Sequence, residues 1–87
     1  MEQMSESMKY HFGGAVPAWY RGAELNEDYD TILSFLHGLK LGLMAYAWWK
    51  NGVQYVGTCG HTLADATAVV DAEVERVEAK HRDDTAG

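Results

Sequence analysis

The chain has 87 residues, enough for one small domain, and 13 acidic against 7 basic side chains give it a formal net charge of −6. That balance repels a phosphate backbone and argues against nucleic-acid binding, while a single proline and 47% hydrophobic residues argue against a disordered chain. Cys59 is the one cysteine, so no intramolecular disulfide is available.

Met1 to Ser7 lacks the basic start and apolar run of a signal peptide. The longest apolar-rich stretch, Leu39 to Trp49, is interrupted by Lys40 and too short to span a bilayer, so a cytoplasmic protein with no membrane partner is expected. Residues 1–8 are polar and read as a disordered segment, 9–82 as a single α+β domain, and 83–87 as a frayed tail. Lys9–Phe12 suggests a short N-terminal strand stopped by Gly13-Gly14. Pro17 to Gly22 reads as an ordered turn or one helical turn, in which Trp19 and Tyr20 cover an edge of the core.

A first clear helix is expected to begin near Asn26, a good N-cap, with Glu27, Asp28 and Asp30 on the positive end of its dipole. Tyr29, Ile32, Leu33, Leu36 and Leu39 form its apolar stripe, and either Gly38 or Gly42 can end it. Asn51-Gly52 lies between two β-prone runs, Leu43–Lys50 and Val53–Thr58, and is a strong signal for a two-residue hairpin turn. Its register pairs Lys50 with Val53, Trp48 with Tyr55 and Tyr46 with Gly57 on one face. The other face pairs Trp49 with Gln54, Ala47 with Val56 and Ala45 with Thr58. Gly60 closes the second strand, and Thr62 with Asp65 resembles a capping box. The helix that follows, from Leu63 to about His81, carries Leu63, Ala66, Val70, Val74 and Val77 on one face.

The hairpin's faces are unequal. Ala45, Ala47 and Val56 are small enough to let helices approach, which leaves bulky Met44, Tyr46, Trp48 and Tyr55 for a partner, a second copy or the N-terminal segment. The alternative is that these aromatics are core and Trp49 lies outside. Candidate partner-binding residues are therefore Tyr46, Trp48 and Tyr55, together with the acidic helix residues Glu75 and Glu78. A nucleotide-sequestering alternative would use Trp19, Arg21, Trp48 and Lys50 to stack a base and meet a phosphate.

Catalytic residues are not expected. Cys59 and His61 share a strand face, yet no orienting acid or oxyanion device accompanies them. No metal or cofactor is expected either, because Cys59-Gly60-His61 supplies two ligands and His11, His37 and His81 are scattered.

The run Gly57-Thr58-Cys59-Gly60-His61-Thr62-Leu63-Ala64-Asp65-Ala66 resembles the strand-to-helix junction of HicB-type antitoxins. In size, acidity and lack of catalytic motifs the chain is also similar to small phage-encoded anti-defence inhibitors such as anti-CRISPR proteins. The second resemblance implies a non-enzymatic inhibitor acting on a host protein in the host cytoplasm. A homodimer is expected because three tryptophans, five tyrosines and two phenylalanines are more than one hairpin and two helices can cover, and an unpaired hairpin edge invites another chain.

Overall fold

The computed structural model describes residues 4–57 and 60–86. Its spine is a pair of antiparallel helices, α3 (Tyr29–Ala45) and α4 (Leu63–Ala86). Their stripes supply most of the core: Tyr29, Ile32 and Leu36 from α3, and Ala66, Val70, Val74 and Val77 from α4. Two shorter helices, α1 (Glu6–Phe12) and α2 (Trp19–Leu25), add Met8, Phe12, Tyr20 and Ala23. A small sheet of β1 (Trp48–Lys50), β2 (Val53–Val56) and β3 (His61–Thr62) joins α3 to α4, in the order β1-β2-β3 and antiparallel throughout. The class is α+β. The longest dimension is 49 Å, because the 24 residues of α4 alone span about 36 Å at the helical rise.

Lys9–Phe12 is helical rather than extended. Met8 and Phe12 stand four residues apart on the buried side of α1, Ser5 accepts the Met8 N–H at 3.3 Å, and Glu6 lies in the first turn. Order therefore begins before residue 9, and the segment read as disordered contributes a fully buried methionine. The strand expectation followed the β-preference of Tyr10 and Phe12; burial of one helical face overrides it.

The boundary between α2 and α3 is also moved. Asn26 is not an N-cap but the C-cap of α2. Asp28 N–H bonds Ala23 O at 2.9 Å and Glu27 N–H bonds Glu24 O at 3.2 Å, the two crossed bonds of a Schellman ending. That ending needs a left-handed residue, and Glu27 supplies it at φ 53°, where glycine is the usual occupant. Asp28 then caps α3, accepting from Thr31 N at 3.3 Å and Thr31 Oγ1 at 2.7 Å. One residue thus closes α2 with its backbone and opens α3 with its side chain.

Neither Gly38 nor Gly42 ends α3. Leu39 and Leu43 continue its stripe onto the core, and that packing outweighs the cost of about 1 kcal/mol for each helical glycine. The helix consumes Leu43–Ala45, so β1 is shorter than expected and the Tyr46–Gly57 and Ala47–Val56 pairs do not form, while Thr58 lies outside the described residues. The three pairs nearest the turn hold: Lys50↔Val53, Trp49↔Gln54 and Trp48↔Tyr55. β2 stops at Val56, and a third strand appears where none was expected, His61 pairing with Val56 and Thr62 with Tyr55.

Thr62 caps α4 as anticipated, its Oγ1 accepting Asp65 N–H at 3.1 Å. The tail does not fray at Asp83; it stays helical to Ala86. Tyr29 stacks on His81 with centroids 4.6 Å apart, and its hydroxyl donates to Asp84. That bond holds Asp84 below the ordinary carboxylate range and pushes the Tyr29 phenol up to about 12. Asp84 thus contributes stability that is present above the ordinary aspartate range and lost as pH falls through its lowered value.

Two stability outcomes follow. Glu27→Gly should raise the urea midpoint, relieving about 1 kcal/mol of left-handed strain. Leu36→Ala should lower stability by about 2–5 kcal/mol in the same titration, because Leu36 is fully buried between the long helices.

Candidate functional site

Of the large apolar side chains left exposed among the described residues, Leu41, Met44, Tyr46, Trp48, Trp49 and Val53 lie on the hairpin or on the end of α3 that leads into it, while Tyr10, Trp19 and Leu25 lie on α1 and α2. Asn51 and Gly52 both adopt positive φ, 52° and 78°, as a type I′ turn requires, so the two strands meet in a fixed register. Trp48 stacks on Tyr55 with centroids 5.1 Å apart, and its indole N–H donates to Gly57 O at 3.0 Å. These contacts hold the Trp48 ring flat along one face of the hairpin. On the other face Trp49 is 67% exposed, although that face also carries Val56 into the core. Tyr46, the C-cap of α3, is 85% exposed, and Leu41, Met44 and Val53 are exposed as well.

The division into a small covered face and a bulky open face therefore holds only in part. Val56 is buried against the helices, but Ala45 is helical and exposed, and Trp49 stands in solvent on the supposedly covered side. A cleft of about 530 Å³ opens there, lined in part by Lys40, Met44, Trp49, Val53, Gln54 and Leu63. Lys40 closes its rim by bonding Asp71 at 2.8 Å across α3 and α4.

The remaining sequence candidates do not join this surface. Glu75 and Glu78 are exposed on α4, several turns beyond the residues that meet the hairpin; Glu78 borders a separate shallow cleft with Leu33, His81 and Arg82. Trp19 lies edge-on to Phe35 at 5.6 Å and Arg21 pairs with Glu24 on α2, whereas Trp48 and Lys50 belong to β1. The four residues of the nucleotide alternative thus occupy two places with different partners. Cys59 lies outside the described residues. Among the described residues, no three His, Cys, Asp or Glu side chains converge to hold a metal ion.

Sequence reasoning missed a buried polar cluster between α2, α4 and the start of α1. Glu73 is 1% exposed and is held by Arg76, whose Nε and Nη2 donate to its two oxygens at 3.0 and 2.8 Å. Ser5 N–H adds a long bond at 3.4 Å. Glu24, 2% exposed, has Arg21 at 3.7 Å, while its Oε2 and the buried Tyr20 hydroxyl have no hydrogen-bond partner among the described residues. Burial raises the Glu24 carboxyl above its usual range, with Arg21 and Arg76 pulling the other way. Burial also raises the Tyr20 phenol, helped by the nearby Glu73 and Glu24 charges. The signal was present for Glu73: it sits three residues after Val70 and four before Val77, on the side of α4 that the valines bury.

No family model, curated protein or solved structure matches the chain. No helix among the described residues is long and apolar enough to cross a membrane.

The raised carboxyl gives a pH dependence with a definite sign. The unfolded chain releases the Glu24 proton at the ordinary glutamate value, before the folded chain does, so this group's contribution to stability falls as pH rises from there through its raised folded value. Glu24→Gln should flatten that part of the profile and raise the melting temperature at neutral pH, read by thermal melts across the acid range.

Proposed function

We propose that this chain is a small acidic, non-enzymatic protein-binding protein, an inhibitor or modulator of a host protein that docks through its hairpin end. The carrying observation is the concentration of exposed apolar side chains there: Leu41, Met44, Tyr46, Trp48, Trp49 and Val53 all remain accessible. Large apolar patches rimmed by polar groups are costly to leave in water and mark protein interaction sites; aromatic anchors dominate such interfaces. The net charge of −6 favours a partner whose contact surface is basic around an apolar groove. A protein that regulates by occupying such a groove needs no cofactor, and a target in the host cytoplasm is the reading that goes with the similarity in size and charge to anti-defence inhibitors.

The same patch supports a homodimer, in which the hairpin ends of two copies cover one another around a two-fold axis. The nucleotide-sequestering alternative is less well supported, because Trp48 already stacks on Tyr55 and Trp19 and Arg21 lie on α2, apart from the strand that carries Trp48 and Lys50.

Trp49 separates binding from folding. Trp49→Asp should leave the melting temperature within a few degrees of the parent, since it changes an exposed side chain. On affinity capture from host lysate the parent should retain a stoichiometric protein and the variant should lose it. A parent that retains no protein at stoichiometric level would overturn the proposal. Light scattering on the parent and variant reads the dimer: a mass that halves on substitution supports it, and a parent that is monomeric at every concentration removes it.

A further inference from the structure

We propose that His11 and His61 form a two-imidazole clip for a late divalent transition-metal ion of the Cu²⁺ or Ni²⁺ type, tying α1 to β3. The two rings come from elements fifty residues apart, and their centroids lie 4.5 Å apart with planes inclined at 51°. His11 Nδ1 lies 3.0 Å from Ser7 O. A carbonyl only accepts, so Nδ1 carries a proton and Nε2 is the ring nitrogen left for a metal to take. This is the arrangement by which metal-binding histidines are oriented: one ring nitrogen donates to a backbone carbonyl and the other faces the ion.

The spacing of the rings selects the class of ion. With metal–nitrogen bonds of about 2.0–2.1 Å, each ring centroid sits about 3.2 Å from the metal, so two neighbouring imidazoles at a right angle stand about 4.5 Å apart and two at the tetrahedral angle about 5.2 Å. The observed separation matches the right angle, the geometry of square-planar and tetragonal sites that Cu²⁺ and Ni²⁺ prefer. Both histidines are half-buried at one end of a cleft of about 210 Å³, whose other walls include Phe12, Leu43, Val56 and Ala66. Tyr10 stands edge-on to both rings, at 5.1 and 6.0 Å. The remaining coordination positions would fall to water. No carboxylate is required, and the site is independent of the hairpin patch.

A ligand that binds only where the two rings are assembled stabilises the folded chain by mass action. The test uses the full chain without an affinity tag and Ni²⁺ as the probe. Calorimetry should show one equivalent of Ni²⁺ bound, and saturating Ni²⁺ should raise the melting temperature by several degrees where Mg²⁺ does not. His11→Gln and His61→Gln should each abolish both effects, whereas His37→Ala and Cys59→Ser should keep them. Absence of binding up to about 1 mM Ni²⁺, or binding that survives loss of either ring, would overturn the proposal. Should a glutamine variant fail to fold, Cu²⁺ bound to the folded Cys59→Ser chain decides the matter by pulsed electron paramagnetic resonance. Two imidazole nitrogens coupled to one Cu²⁺ support the clip; one or none refutes it.

Discussion

The contact between the apolar stripes of α3 and α4 is the interaction on which everything else in this molecule rests. Val70, Val74 and Val77 are poor helix formers, so α4 is helical over its length because those side chains have somewhere to go. Ile32 and Leu36 provide that place, and they keep α3 helical through two glycines. The ends of the pair are tied differently: Lys40 to Asp71 near the hairpin, Tyr29 to His81 and Asp84 at the far end. Because the helices run antiparallel, the chain must turn back between them, and the small sheet occupies that reversal. It is anchored on one side by Val56 alone among the buried residues, which is why so much of it remains open.

Against the same helices α1 and α2 bring a different kind of contact. The cluster of Tyr20, Glu24, Glu73 and Arg76 places two carboxylates and a phenol out of water with incomplete compensation. Buried ion pairs seldom add net stability, since removing charge from water costs about as much as the pairing returns. The Glu73–Arg76 pair lies within α4 and by itself fixes no docking position; the bond from Ser5 N–H does, because sliding α1 along α4 would break it. An apolar contact has no comparable preference.

Those parts of the fold that depend on near neighbours were legible in the residues themselves. Asn51-Gly52 dictates its turn and thereby three cross-strand pairs, and Thr62 with the valine spacing behind it announces α4. Illegible parts are those in which a distant surface decides. Lys9–Phe12 has strand-like residues, and only the burial of Met8 and Phe12 together makes it a helix. Glu27 gives no hint of a left-handed ending, because glycine is its sign and a glutamate carries none; Asn26 therefore looked like a beginning rather than an end. A two-residue strand such as β3 has no periodicity to detect. For the candidate site, Tyr46 and Trp48 were legible as aromatics with too little core to enter. Trp49 was assigned to the covered face because alternation says which side a residue is on, not whether the covering helix reaches that far. His11 and His61 could not be brought together without knowing that α1 lies beside the sheet.

The placement of the tryptophans has an optical consequence. None of Trp19, Trp48 and Trp49 is among the fully buried residues, whereas Tyr20 and Tyr29 are inside. Indole emission from this protein therefore reports on its surface, and above all on the hairpin end, where two of the three fluorophores sit within one strand. Trp49 is bathed in water, while Trp48 lies against a phenol ring and donates its N–H to a carbonyl, so the two have different local polarities and different access to quenchers. Loss of the α3–α4 core would alter this emission only indirectly and is better followed through backbone and tyrosine signals. A molecule settling over the hairpin, by contrast, would change the surroundings of both indoles while the helices stay as they are.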